Sequence, residues 1–225
     1  MISKEIIDKT ESVEIPENKF AEITADRTSI EETKTFWNRV FYGEIDEVSE
    51  ESLWDEIMYC DELDFDFSDV VTDDTKEVLE LFNSDNWENL DVDERYELIT
   101  ELVDSIGQGL GLENIPEIEL VDREDNCSGY YSERGNYIGI NVNYWDDYED
   151  IVDTVAHEIR HAYQRFRTDK RENHQDEVYK FNFDHYISTD YDTEGNCIHF
   201  KEYYEQYIEA EARAYAKEFA AEVAR

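Results

Sequence analysis

A chain of 225 residues, 40% hydrophobic and 14% aromatic, is long enough for one core with a smaller annex and too apolar to be disordered throughout. Asp and Glu number 60 against 20 Lys and Arg, a net charge of −40, which repels phosphate backbones and anionic lipid surfaces and argues against direct nucleic-acid or membrane binding. Basic protein partners and divalent cations stay compatible, because the field of such a chain concentrates both at its surface.

Cys60, Cys127 and Cys197 are widely spaced and form no C-x-x-C pair, so neither a disulfide scaffold nor a zinc ribbon is expected. The first residues turn acidic without an apolar signal core. No run of about 18 apolar residues occurs, and the cytoplasm is the expected location.

In chain order, residues 1–30 are polar and read as a loose, disordered arm. Short helices are expected over 30–41 and 50–59, the second carrying Leu53, Trp54, Ile57 and Met58 on one face. Residues 61–75 mix aspartates with Leu63, Phe65, Phe67 and Val70, as a short acidic strand or an ordered loop. A helix over 91–109 is marked by Asp91 or Asp93 as cap, by Leu98, Ile99, Leu102, Val103 and Ile106 at helical spacing, and by Gly109 and Gly111 at its end. Strands follow over 117–121, 127–132 and 136–142, the last two joined by a turn at Glu133-Arg134-Gly135. In the third, Ile138, Ile140 and Val142 define one buried face. A helix over 147–167 has the stripe Ile151, Val155, Ile159, Ala162 and Phe166, then 168–200 is mixed with a turn near Gly195. A last helix over 201–223 has the stripe Tyr204, Ile208, Ala212, Tyr215 and Phe219. A boundary near 84–90 divides an acidic, mainly helical segment (1–86) from a second unit (87–225).

The segment Val155-Ala156-His157-Glu158-Ile159-Arg160-His161 reads H-E-x-x-H. Residues i and i+4 of a helix lie one turn apart on one face, so His157 and His161 can bind one zinc ion (Zn2+), and Glu158 beside them can take a proton from the attacking water. The apolar stripe falls on the opposite side of the helix. Zinc needs a third protein ligand and an open position. Glu209 and Glu211 are two apart on the last helix and point in different directions, so both cannot serve one ion. Glu209 is favoured, because its flank carries Ala212, Ala216 and Ala220, which permit close helix approach, whereas the flank of Glu211 carries Tyr204, Tyr207 and Glu218. His174, His185 and His199 lie in the irregular region and are weaker candidates, and Cys60 is read as a small buried apolar residue.

With Glu209–Ala216 reading E-x-x-A-x-x-Tyr-Ala after H-E-x-x-H, the chain resembles the gluzincin metallopeptidases, and within them the minigluzincins and the IrrE/ImmA-like zinc peptidases of bacteria and their phages. The resemblance covers residues 113–220. It implies a zincin-like α+β fold, in which a small mixed sheet precedes the active-site helix and a C-terminal helix brings the third ligand. It also implies that the 137–142 strand is a sheet edge on which a peptide docks as an added strand. Many relatives follow E-x-x-A with Asp, which supports a ligand histidine; here Arg213 stands instead.

The function so implied is zinc-dependent hydrolysis of a peptide or protein substrate, with Glu158 as general base. The oxyanion donor is open among Tyr203, Tyr204, Tyr207 and Arg160. Arg160 lies about 100° from its neighbours and suggests a surface salt bridge. Arg160, Arg165, Arg167, Lys170 and Arg171 form the one basic cluster, read as a solvated helix end, as a partner for the acidic front or as a site for an acidic substrate. That front is an accessory subdomain, an inhibitory segment or a nucleic-acid mimic. The rival function is a non-catalytic binding or decoy protein acting through its acidic surface, although such a scaffold has no need of Glu158.

Overall fold

Local capping chemistry sets most helix starts. Asp91 accepts from the Glu94 N–H while the Glu94 carboxylate accepts from the Asp91 N–H, a reciprocal box that opens a helix over Val92–Gly109. Asn173 and Asp176 repeat the device ahead of His174–Asp184. Asp147 accepts from two N–H groups at the head of Tyr148–Lys170.

The computed structural model describes residues 58–224 apart from 61, 63–64, 125–126 and 192–196. The expected N-terminal arm, the helix over 30–41 and nearly all of that over 50–59 lie outside the described residues, as does the turn near Gly195. Described helices are α1 (Asp73–Leu79), α2 (Ser84–Trp87), α3 (Val92–Gly109), α4 (Tyr148–Lys170), α5 (His174–Asp184), α6 (Phe200–Tyr204) and α7 (Tyr207–Val223). Strands β1 (Glu117–Val121), β2 (Gly129–Ser132) and β3 (Tyr137–Asn141) form one sheet, and β4 (Asp190–Tyr191) pairs with β5 (Cys197–Ile198). The architecture is mixed α+β. None of the described helices is long and apolar enough to cross a membrane.

The sheet order is β1-β3-β2, with β1 parallel and β2 antiparallel to β3. This corrects one expectation: β3 is the central strand, and the edge beside α4 is β2. A central strand is covered on both sides, so Gly139 and Asn141 are buried along with Ile138 and Ile140. Val142 belongs to a 3-10 turn and is exposed. Asn141 accepts from the Arg123 and Asn143 N–H groups and donates to the Arg123 and Cys127 carbonyls, tying down the β1–β2 loop. Gly129 lets β2 approach α4, since a Cβ there would stand 2.5 Å from Thr154 Cγ2.

The main apolar cluster joins Phe82 and Trp87 to Leu102, Ile138, Ile140, Val155, Ile159 and Phe219, so it is continuous across residues 84–90. A second cluster holds Val178, Tyr179, Tyr207 and Ile208, with Phe65 and Cys60 against it. Residues 65–72 are irregular and α1 begins only at Asp73, capped by the Thr72 hydroxyl.

The last helix is not continuous. Gln206 has ψ near 141°, outside the helical region, and separates α6 from α7. It is fully buried, pairs through its backbone with Tyr59, and its amide bonds both the N–H and the C=O of Ile187, at 2.7 and 2.8 Å. The break thus pins two distant segments to the start of α7.

Each cation of the basic cluster has an acidic partner, and none of these partners comes from the acidic front among the described residues. Arg160 pairs with Glu211, Arg165 with Glu133, Arg167 with Asp176, Lys170 with Glu113 and Arg171 with Glu177. The front instead reaches α7: Glu62 accepts from Arg213 Nε at 2.8 Å and the Tyr204 hydroxyl at 2.6 Å, and also pairs with Lys217. Partial burial would raise the Glu62 carboxyl, but Lys217, Tyr204 and Arg213 outweigh it and hold it at about 2, against an ordinary 4.5. A depressed folded-state value stabilises the fold above the unfolded value and is lost as pH falls through it. Glu62→Gln is therefore expected to lower the melting temperature at neutral pH. The gap from wild type should close between pH 4.5 and about 2. Melting curves across that range check it, and a gap that persists at the acid end would refute it.

Candidate metal centre

The spacing of His157 and His161 on α4 puts both imidazoles on one face, as helical geometry requires. Their Nε2 atoms are 3.1 Å apart. α7 packs along α4, with Ala212 and Ala216 fully buried, and this carries Glu209 to the pair. Glu209 Oε2 is 3.4 Å from His157 Nε2, and Oε1 is 3.5 Å from His161 Nε2. Potential ligand atoms of the three residues all lie within 4.8 Å of one another, the only such group among the described residues.

The group fits a metal ion. Glu209 is 2% exposed, yet its Oε2 has no hydrogen-bond partner, an expensive state for a buried carboxylate unless a cation completes it. Two imidazole nitrogens and a carboxylate form an N/O donor set that leaves room for a further ligand. Burial alone would discharge His161, but the Glu209 carboxylate overcomes it and lifts the imidazole to about 9. Burial likewise works against charge on Glu209, and the two histidines outweigh it, holding this carboxyl well below the ordinary range.

Glu211, the alternative ligand, faces elsewhere. It accepts from Arg160 at 2.8 Å, from the Tyr179 hydroxyl at 2.7 Å and from Gln164 at 2.7 Å. Arg160 is accordingly buried and not a surface residue, its guanidinium 4.5–4.9 Å from the rings of Tyr163, Phe67 and Tyr215. The surface reading failed because the covering ring, Phe67, arrives from far away in the chain. Cys60 lies near the Tyr207 carbonyl, and His185 sits on the Phe181 carbonyl. His199 is exposed ahead of α6.

Glu158 adjoins the histidines and accepts the backbone N–H of Tyr131 through Oε2 at 2.8 Å. The general-base candidate is therefore moored to the sheet edge. Of the proposed oxyanion donors, Tyr204 is engaged by Glu62 and Tyr207 by Gln175. Tyr203 remains. Its phenol is pushed up by burial and by the Glu209 and Glu158 carboxylates. A second phenol, not foreseen from sequence pattern, is Tyr186, whose hydroxyl donates to Glu209 Oε1 at 2.7 Å and whose ring stands edge-on to Tyr203 at 6.3 Å. Burial and Glu209 push it up in the same way. Tyr186 lies in a stretch without periodicity, and only the Gln206–Ile187 pairing places it.

No family model matches the chain, and no curated protein or solved structure matches it.

Proposed function

We propose that the protein is a zinc-dependent peptidase of zincin-like fold. The observation that carries the reading is the convergence of His157, His161 and Glu209 beside a carboxylate, Glu158, which is held at β2, an edge strand among the described residues. His157, His161 and Glu209 would hold the ion, and imidazole and carboxylate donors suit zinc. When bound, zinc supplies Lewis-acid polarisation of the scissile carbonyl and acidification of the attacking water.

The chain's own residues account for the rest. The Asn141 N–H donates to the Ser128 carbonyl at 2.9 Å, so by antiparallel alternation the backbone groups of Gly129 and Tyr131 face away from β3. A substrate would lie along this outer side of β2 as an added strand, bonded to groups other than the Tyr131 N–H, which donates to Glu158. Glu158 uses Oε2 to accept from Tyr131, which leaves Oε1 to take the proton of the attacking water and pass it to the leaving amine. Tyr203, kept protonated by burial and by the neighbouring carboxylates, would donate a hydrogen bond to the developing oxyanion, while Tyr186 spends its proton on Glu209 and steadies that carboxylate.

The test is metal content with a hydrolysis assay on an unfolded protein substrate. Wild type should hold about one zinc per chain. Chelation should stop cleavage and zinc should restore it. Glu209→Ala should lose both zinc and cleavage. A wild type that takes up no zinc on reconstitution would overturn the reading.

A further inference from the structure

His161 turns its Nε2 to Glu209 and His157, and its Nδ1 to the Gln164 side-chain oxygen at 2.8 Å. Gln164 is fully buried. Its amide nitrogen donates to Glu211 Oε2 at 2.7 Å and to the Ile208 carbonyl at 2.9 Å. Both partners accept and do not donate: one is a backbone carbonyl, the other a carboxylate already paired with Arg160. A flipped amide would set its oxygen against two oxygens, so the orientation is fixed with the amide oxygen toward His161. That oxygen only accepts, so Nδ1 must carry a proton, and in the neutral imidazole Nε2 is the nitrogen left with its lone pair.

We propose that Arg160, Glu211 and Gln164 form a positioning relay that locks His161 in the Nδ1–H tautomer and thereby sets the metal affinity of the centre. The affinity half rests on the metal-centre reading above. Free neutral imidazole exchanges between tautomers and would present an N–H to the ion part of the time. The Gln164 amide accepts from the imidazole N–H on one side and donates to a carboxylate on the other, without itself carrying charge. Glutamate at 164 would accept from His161 but set a second carboxylate against Glu211. Methionine would fill the space and do neither. Arg213, which follows E-x-x-A, is turned to Glu62 and is not a member of this relay.

Imidazole nitrogen NMR of the metal-free protein, at a pH where His161 is neutral, reads the tautomer directly. Zinc affinity by chelator competition and the melting temperature of the metal-free form complete the test, on wild type, Gln164→Met and Gln164→Glu. Wild type should show Nδ1–H at His161. Gln164→Met should show mixed tautomers and bind zinc about 10–100-fold more weakly. Gln164→Glu should keep Nδ1–H and bind zinc more tightly than Gln164→Met while melting lower than wild type, which separates the relay from mere packing. Nε2–H at His161 in wild type overturns the proposal without recourse to any variant. So does a folded Gln164→Met with zinc affinity within about threefold of wild type, well short of the usual loss. A wild type that binds no zinc overturns the metal-centre reading and the affinity half, while the tautomer result stands or falls separately.

Discussion

Glu158→Gln is expected to lower peptide hydrolysis by about 10²–10⁴-fold, the usual contribution of a positioned general base, with zinc content unchanged. The side-chain oxygen of Gln can still accept the Tyr131 N–H that Glu158 Oε2 accepts at 2.8 Å, so the mooring to β2 survives. An amide cannot take the proton of the attacking water. The ligand atoms belong to His157, His161 and Glu209, and none of them is altered. Initial rates on an unfolded protein substrate, measured beside metal content, decide the matter. Activity within about threefold of wild type would remove Glu158 from the mechanism. A biological effect that survives the loss of hydrolysis would transfer the weight to a protein acting through its acidic surface.

The parts of this site that can be read from sequence are those written in local spacing. H-E-x-x-H inside an amphipathic stripe sets two imidazoles on one helical face whatever the rest of the chain does. The choice of Glu209 over Glu211 also follows from local pattern, because small residues at 212 and 216 mark the flank that meets a neighbouring helix. The box at Asn173 and Asp176 is equally local and announces α5, although the aromatic stretch after it masks the helical period. Other features depend on distant partners. Whether β2 or β3 is the edge is decided by where β1 joins, and the hairpin itself carries no mark of that choice. Glutamine is a good helix former, so nothing near Gln206 foretells the break that its contacts with Ile187 and Tyr59 impose. Tyr186 reaches Glu209 only because that break holds residue 187 in place. The counter-charges of the basic cluster likewise come from acids at 113, 133, 172, 176, 177 and 211, which an acid-rich sequence cannot single out.

Replacing Arg160 should give the largest loss of stability. Arg160→Met leaves Glu211 buried, its side chain 5% exposed, without its cation. Breaking a buried pair by removing one partner costs about 3–5 kcal/mol, because the other charge remains desolvated. Tyr179 and Gln164 still donate to Glu211, but neither supplies charge. The guanidinium also fills the space between Phe67, Tyr163 and Tyr215, and methionine recovers that packing only in part. For a domain of this size the loss corresponds to a fall in melting temperature of about 6–20 °C. The double variant Arg160→Met/Glu211→Gln should be more stable than Arg160→Met alone, since it removes the stranded charge along with its partner. Denaturant unfolding of the two variants and wild type measures this coupling. If both fall equally far below wild type, the cost lies in packing and not in charge. Arg160 sits between the two histidines in sequence, so one turn of α4 presents the ligands on one side and the buried cation on another. The relay through Glu211 and Gln164 joins those two sides, and an ion-pair loss at Arg160 should therefore also loosen His161.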